Sequence, residues 1–427
     1  MSKYNQKGFV AFFIAILVLV IVFGIVLSIS FLTLSQQKIS SNIIKSSQAH
    51  YVAEAGIEDA LVRLTKGMNF SSSYNLIIGQ GTATIEISDL IGGSLTITSF
   101  GNVSDRIRKI RVIRIMSTKG VSFFYGAQAG DGGIDMEADS VIHGNVFSNG
   151  TIQAVTGTAK IDNSAIVAKS GNRLVKIEVG TLGNIPPDQA RAHTCINSVI
   201  NGDLYYVAGG SSNCVVNGGS ERVLPNNIDS VDMPFSDEQI SNWEDEAVDG
   251  GIEFGDHTVL INTTESLGAK KIEGNLIIEN NATLIITGTL WVTGDITTDN
   301  RATIRLDDDY GSTSGILISY GKILVENDVV LEGSGTPGSY IMLLSTSNST
   351  DLDAPAIFIK NNAQGAIFYT SDGMIRLRNN INIREATGWK LYLDNNAEIT
   401  YESGLADLLF SNGPGGSWQI ADWREIE

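Results

Sequence analysis

The sequence predicts an α+β protein: a long N-terminal helix, a small antiparallel sheet, and a mostly-β domain forming a right-handed parallel β-helix. Three observations support this fold class. An uncharged run from Phe9 to Leu34 continues into a helical pattern that ends near Leu64. Apolar and polar residues then alternate across 82–115, as in half-buried strands. Beyond Gly130, short Ile-, Val- and Thr-rich segments are separated by Gly, Asn and Asp corners, which is strand and turn composition.

The N-terminal run is long enough to cross a membrane, because about twenty helical residues span a bilayer. Lys3 and Lys7 precede it, so the positive-inside rule places the N-terminus in the cytoplasm and the remainder outside. The run is too long for the apolar core of a cleaved secretory signal. With the pattern that follows, it predicts one helix of about 55 residues, ~80 Å long, with Gly67 as a C-cap.

Two features of this region carry a family resemblance. A short basic leader ends at Gly8 and is followed by Phe9, and residues 49–61 read AHYVAEAGIEDAL. Both resemble type IV pilins and pseudopilins, and the second resembles the N-terminal region of PilX-type minor pilins. The resemblance implies that a prepilin peptidase cuts between Gly8 and Phe9, that the new N-terminus is methylated, and that the helix packs with other pilin subunits in a filament.

Phe13 departs from the family pattern. Pilins usually carry Glu as the fifth residue after the cut, where it pairs with a neighbouring subunit's N-terminal amine. An unpaired carboxylate in an apolar core costs several kcal/mol. A chain with Phe at this position therefore resembles a tip subunit, which has no subunit above it. The alternative is that Phe13 reflects lineage drift and has no functional meaning.

The segment 67–120 is interpreted as a small head domain following the leader (1–8) and the helix (9–66). Its strands are expected at 82–88, 94–98 and 106–115, with turns at Ile91–Gly93 and Gly101–Asn102. The exposed half of the long helix would cover the apolar face of this sheet. The basic run 106–114 is interpreted as the solvated side of one strand, with apolar residues in most other positions: Ile107, Ile110, Val112 and Ile113.

The segment 121–403 is predicted to be the β-helix, with a β-sandwich as the alternative fold. Asn-containing pairs recur at 280–281, 299–300, 361–362, 379–380 and 395–396, with successive pairs 16 to 19 residues apart except for a gap of 62 residues after 299–300. Asn tolerates the left-handed backbone that corners require, and stacked Asn side chains can form buried ladders.

Residues 190–251 are expected to interrupt the β-helix. They contain Cys195 and Cys214, the two cysteines of the chain, which we expect to form a disulfide outside the cytoplasm. A closed loop of that length contributes about 3 kcal/mol in the chain-entropy model. A helix is predicted from Ser236 to Ala247, opened by a capping box from Ser236 to Gln239. One face carries an apolar stripe that would dock on the solenoid: Ile240, Trp243 and Ala247.

Residues 404–427 are predicted to cap the last rung, using Phe410, Trp418 and Trp423. An aromatic shelf for stacking carbohydrate is the functional alternative.

The composition and motifs favour a protein without catalytic chemistry. The formal charge of −18 argues against a nucleic-acid partner, which would need a basic face. The sequence has no serine-hydrolase, P-loop or dinucleotide-binding motif, and we expect neither a cofactor nor a metal. The four histidines form no recognisable constellation, and the carboxylates of 307–309 favour a solvated turn over a Ca²⁺ site.

The leading hypothesis is a minor pilin-like subunit of a type IV pilus or pseudopilus, anchored in the cytoplasmic membrane and presenting its β-helix at or near the filament tip. Assembly priming, adhesion or surface contact would be its role. Its expected partners are other pilin subunits, the prepilin peptidase, the membrane and surface carbohydrate. The alternatives are a membrane-tethered carbohydrate-active enzyme and a static surface anchor.

Overall fold

The computed structural model describes residues 7–65, 72–88, 94–116, 118–121, 123–207, 210–402, 405, 408–411 and 418–426. The chain divides into two compact units. The first, here called the head unit, comprises Met1–Asp89, Leu95–Arg114 and Ile420–Glu427. The second, the solenoid unit, comprises Leu90–Ser94 and Ile115–Gln419. The solenoid unit is therefore inserted into the sequence of the head unit.

The described elements of the head unit are α1 (Lys7–Thr65), β1 (Ser73–Ile78), β2 (Gly81–Ile87), β3 (Ser94–Val103), β4 (Arg106–Met116) and β39 (Trp418–Ile426). The strands form a five-stranded sheet with the order β1-β2-β3-β4-β39. β1–β2 and β2–β3 pair antiparallel, which confirms a meander. The turn expected at Gly101–Asn102 is wrong: both lie inside β3, and Ser104 and Asp105 make the turn with positive φ angles. Gly67 and Ile91–Gly93 lie outside the described residues.

The C-terminal strand corrects the expected cap. β39 pairs beside β4 in the head sheet, so residues 404–427 do not form one lid on the solenoid. Acidic side chains of β39 face arginines of β4: Arg108 Nη1 lies 3.0 Å from Glu425 Oε1, and Arg111 Nη2 lies 3.9 Å from Asp422 Oδ2. The strand thereby covers a sheet edge that would otherwise be unpaired.

The basic run of β4 is only partly solvated. Ile110 and Val112 are buried as expected, but Ile107 is 62% exposed and Arg114 is buried. Burial lowers the pKa of the Arg114 guanidinium from its ordinary value.

The described residues of the solenoid unit form short strands, an α-helix and a 3₁₀ helix. Their bounds are β5 (Thr118–Val121), β6 (Ala127–Met136), β7 (Val141–His143), β8 (Val146–Ser148), β9 (Ile152–Ala154), β10 (Ala159–Ile161), β11 (Ala165–Val167), β12 (Arg173–Val175), β13 (Ile177–Val179), β14 (Asp188–Ala192), β15 (Thr194–Ile196), β16 (Val199–Ile200), β17 (Gly202–Val207), β18 (Ser211–Ser212), β19 (Val215–Val216), β20 (Glu221–Leu224), α2 (Asp237–Asp249), β21 (Ile252–Phe254), β22 (His257–Val259), β23 (Thr264–Leu267), β24 (Lys270–Glu273), β25 (Leu276–Ile278), β26 (Thr283–Ile286), β27 (Leu290–Val292), β28 (Ile296–Thr298), β29 (Thr303–Leu306), the 3₁₀ helix Asp308–Tyr310, β30 (Gly315–Ser319), β31 (Ile323–Val325), β32 (Val330–Glu332), β33 (Ile341–Ser345), β34 (Ile357–Ile359), β35 (Gln364–Leu377), β36 (Asn382–Leu393), β37 (Glu398–Thr400) and β38 (Leu408–Ser411).

From β6 to β37, these strands form a parallel β-helix, as predicted, rather than a β-sandwich. Each of them pairs in parallel with a strand one coil away, as β21 does with β24 and β24 with β27. β5 and β38 instead form a separate antiparallel pair. The order of coils in space differs from the order in sequence, because β36 pairs with β6 and β37 with β7. Two halves, one from β6 to β20 and one from β21 to β37, therefore meet at a seam between β36 and β6. β18–β20 and β21–β23 lie at the two ends.

Asn residues occupy the corners, as predicted. The second residue of four of the Asn pairs has a positive φ angle: Asn281, Asn362, Asn380 and Asn396. Their side chains form ladder bonds, with Asn281 Nδ2 donating to Asn262 Oδ1 at 3.2 Å and Asn362 Nδ2 donating to Asp328 Oδ1 at 2.9 Å. These bonds are exposed, so the expectation of buried ladders is wrong.

The interruption expected at 190–251 begins later than predicted. Strands β14 to β20 continue the parallel stacks, and only residues 225–251 leave them. This connecting segment runs back over the first half: His193 Nδ1 lies 2.7 Å from Asn227 Oδ1, and Asn149 Nδ2 donates to the Val231 carbonyl at 2.8 Å.

The connecting segment ends in α2, as predicted. The capping box joins Ser236 and Gln239, and Ile240, Trp243 and Ala247 are buried. α2 packs beside β24 and β27.

Candidate functional site

The first half of α1 presents a continuous apolar surface. Every side chain described from residue 10 to 34 is exposed, and Phe13 is 57% exposed. α1 is long and apolar enough to cross a membrane, since 25 residues rise about 37 Å against a hydrocarbon core of about 30 Å. Gly8 and Phe9 lie within the first turn of α1, which begins at Lys7.

The second half of α1 packs on the head sheet through small residues. Ala49, Val52, Ala53, Ile57 and Ala60 are buried. A side chain at Gly101 would place its Cβ 2.1 Å from the carbonyl oxygen of Ala49. The AHYVAEAGIEDAL segment is therefore the face of the helix that allows close approach to the sheet.

Gly56, within that segment, has the same role. A Cβ there would lie 2.4 Å from Ser99 Oγ and 2.9 Å from Ala83 Cβ. The small residues of the AHYVAEAGIEDAL segment are thus explained by the packing of the helix on the sheet.

Between these halves, an apolar stripe continues beyond the length of a bilayer. Ile39, Ile43 and Ile44 are 55%, 61% and 56% exposed. The side of the helix toward the sheet is polar, because Arg106 Nη2 donates to Asn42 Oδ1 at 2.9 Å. Neither the head sheet nor a bilayer of ordinary thickness covers this stripe.

An ion pair and a phenol fasten the end of α1. Arg63 Nε donates to Asp59 Oδ2 at 2.6 Å, and Tyr74 Oη donates to the same oxygen at 2.9 Å. The hydrogen bond from Arg63 lowers the pKa of Asp59, and burial raises the pKa of Tyr74 to about 12.

The histidines lie on separate elements and do not converge on a common site. His50 lies 3.6 Å from Glu425, His143 contacts Asp162, and His257 lies on β22. Among the residues that the structure describes, no group of three His, Cys, Asp or Glu side chains is placed to hold a metal ion.

The acidic triplet 307–309 forms a turn. Asp307 Oδ1 accepts a hydrogen bond from the Asp309 amide at 3.0 Å, and Asp308 pairs with Arg305 at 2.7 Å. This is the turn geometry that the sequence favoured.

The structure joins Cys195 and Cys214, the pair expected to bridge, with an S–S distance of 2.13 Å. Cys195 is fully buried on β15, next to Ser211 of the following coil. The bond therefore links two successive coils inside the solenoid rather than the ends of a loop-rich insertion.

The end of the solenoid at β21–β23 carries a cluster of charged residues. Glu253 accepts from Lys270 Nζ at 2.8 Å and lies 2.7 Å from His257 Nδ1, while His257 Nε2 lies 3.2 Å from Glu265. Glu253, His257 and Glu265 each pair in register with a buried residue of the next coil, so these side chains face the open end of the core. The hydrogen bond from Lys270, followed by that from His257, lowers the pKa of Glu253.

Phe410 belongs to an apolar cluster on the outer face of one sheet. It is 1% exposed and packs near Phe235 and Trp243. It is therefore not available as a surface for stacking carbohydrate, and Trp423 lies in the head unit. The side chain of Trp418 is not described.

A buried carboxyl group beside this cluster was not found from the sequence. Glu385 on β36 is fully buried and pairs in register with Ile367, a cluster member. Thr387 Oγ1 donates to Glu385 Oε1, and among the described residues Oε2 has no hydrogen-bond partner. Burial raises the pKa of Glu385 well above its ordinary value.

Comparison with known proteins gives a distant structural similarity. No protein-family model and no curated protein matches the chain. A solved structure with which it aligns is the crystal structure of the competence-associated pilin ComZ from Thermus thermophilus, at 12% identity and a TM-score of 0.35. The alignment covers 90% of this chain and 97% of that one. A similarity of this size establishes neither a family nor a function, so the proposals below depend on the residues and geometry described above.

Proposed function

We propose that this protein is a minor pilin-like subunit of a type IV pilus or a related pseudopilus. The observation that carries the proposal is the apolar surface of α1. It is exposed over residues 10–34 and continues through Ile39, Ile43 and Ile44, past the length of a bilayer. A membrane would cover the first part only. A bundle of similar helices would cover both parts.

Before assembly, α1 anchors the chain in the cytoplasmic membrane with the N-terminus inside. Lys3 and Lys7 stay on the cytoplasmic side, and the head sheet and the solenoid unit fold outside. The prepilin peptidase then cuts between Gly8 and Phe9, which removes both lysines. The uncharged helix is thereby able to leave the bilayer laterally for the filament.

Phe13 supports a position at or near the filament tip. A buried carboxylate is tolerated only with a partner, and a tip subunit has no amine above it. The solenoid would then be presented at the distal end, where it serves assembly priming, adhesion or surface contact rather than catalysis.

The first experiment tests processing and assembly. Wild type, Ile43→Asp and the matched control Ser41→Asp are expressed with the pilus system, and the membrane and sheared-filament fractions are compared. We expect Ile43→Asp to reach the membrane at the wild-type level and to fall at least tenfold in filaments, while Ser41→Asp remains near wild type. Equal incorporation of both variants would refute the helix-bundle role.

Sequencing of the mature N-terminus distinguishes the alternatives. The pilin-like hypothesis requires Phe9 as the first residue of the mature chain. Gly8→Val should block the cleavage between residues 8 and 9. A mature chain that begins at Met1 or Ser2 would instead identify a static surface anchor. Phe13→Glu should not increase filament incorporation if the subunit sits at the tip; an increase would place it along the shaft.

A further inference from the structure

A groove of about 430 Å³ lies along one corner of the solenoid. Three of its lining residues, Leu331, Ile341 and Ala366, are buried and belong to the core of the solenoid. The corner loop 333–340 borders it, and Gly335 in this loop has open space where a side chain would be. A ring-shaped ligand could therefore approach the backbone of the loop closely.

The polar lining of this groove includes a pair of opposite charges, Arg384 and Glu402, beside the exposed carboxylate of Glu332. Arg384 Nη1 lies 2.8 Å from Glu402 Oε1, and Tyr340 Oη donates to Glu402 Oε2. Burial, followed by the hydrogen bond to Glu402, raises the pKa of Tyr340 to about 12, so its hydroxyl stays protonated at neutral pH. Tyr340 and Arg384 come from different coils of the solenoid, with the coil of Gly365 and Ala366 between them.

The pairing restricts the chemistry of a ligand. A strongly anionic ligand would have to detach Arg384 from Glu402, and a cationic ligand would have to detach Glu402 from Arg384. Both side chains are about one-third exposed and keep further N–H groups and lone pairs. A neutral molecule with neighbouring hydroxyl groups can use these without breaking the pair. Glu332, at the exposed rim, adds one more acceptor.

We propose that this groove binds one or two rings of a neutral saccharide, with Arg384 donating to, and Glu402 accepting from, neighbouring ligand hydroxyls. Its volume falls within the range of small-molecule sites, about 300–1,000 Å³. This saccharide site rests on the surface-contact role proposed above. It specifies the class of surface that the solenoid would recognise.

The test measures saccharide binding by the full chain in a detergent without a sugar headgroup. Saturation-transfer NMR titrations use lactose, cellobiose and N,N′-diacetylchitobiose as neutral probes, with digalacturonic acid and glucosamine as charged probes. We expect at least one neutral disaccharide to bind more tightly than both charged probes.

Two variants locate the site. Thr336→Trp fills the groove from an exposed loop position, and Arg384→Met removes the donor. Each should weaken binding at least tenfold. The matched control Thr346→Trp, in a separate groove beside α2, should leave binding unchanged.

Three results would overturn the proposal: no neutral disaccharide binds, Thr336→Trp binds as wild type does, or a charged probe binds best. Filament incorporation of Thr336→Trp is measured in parallel and should match wild type. Saccharide binding by a chain that never enters filaments would refute the pilin-like role while supporting the groove.

Discussion

Glu385 provides the sharpest test of the structure, because a fully buried carboxyl group makes stability depend on pH in an unusual direction. In the unfolded chain Glu385 ionises near its ordinary pKa of 4.5, whereas burial keeps it protonated in the fold. The folded state then binds more protons than the unfolded state. The sign of the linkage requires the free energy of unfolding to fall as pH rises above about 4.5, until the folded-state pKa is reached.

The size of the effect follows from the same linkage. Over each pH unit in which the folded group is protonated and the unfolded group ionised, the free energy of unfolding falls by about 1.4 kcal/mol. Glu385→Gln removes this slope because the amide does not titrate. The new N–H groups can cost about 1–3 kcal/mol if left without acceptors, but that cost is independent of pH. The difference between variant and wild type should therefore rise with pH.

The assay is urea unfolding of the detergent-solubilised protein, followed by tryptophan fluorescence at several pH values from 4.5 upward. The same exchange at the exposed side chain of Glu332, Glu332→Gln, is measured alongside as the surface control. Parallel curves for Glu385→Gln and wild type over the whole range would refute the assignment of Glu385 as a buried neutral acid.

Three further predictions concern packing, the disulfide and the charged end. Gly101→Ala should destabilise the head unit by at least about 1–3 kcal/mol, because its Cβ would meet the helix backbone at 2.1 Å; a higher rate of tryptic cleavage within α1 would report it, and an unchanged rate would contradict the packing. Replacing Cys195 and Cys214 by Ala should cost up to about 3 kcal/mol in urea unfolding, for a sequence separation of 19; two thiols that alkylate without reductant would contradict the bond. Because the pKa of Glu253 is lower in the fold than its ordinary value of 4.5, the ionised carboxylate stabilises the fold at pH values above 4.5. This contribution is lost as the pH falls through the folded-state pKa. Hydrogen-exchange protection of 252–267 should therefore fall on acidification before that of the other coils, and uniform loss would contradict it.

Local patterns in the sequence predicted the two helices α1 and α2 and the corner residues of the solenoid. The helical period located α1 to within two residues at each end. Ser236 and Gln239 located α2 because a capping box depends only on residues three positions apart. Asn at corners was equally predictable, since the left-handed backbone is a property of single residues.

The candidate sites were less accessible to sequence reasoning. The exposed stripe of α1 was visible as spacing, but which face the head sheet covers depends on Gly56 and Gly101, whose close contacts come from different strands. The groove could not be found, because Tyr340, Arg384 and Glu402 meet only when successive coils stack.

The sequence by itself determined that the chain begins with a membrane-length helix and continues as short strands with Asn and Gly corners. These features are local, and their periodicity is the same whichever strands eventually pair. Only the tertiary structure decided that β36 pairs with β6, and that β39 returns to the head sheet instead of capping the solenoid. Strand edges carry the same backbone hydrogen-bonding groups everywhere. The choice of partner therefore depends on how all the coils pack together, which no short stretch of sequence records.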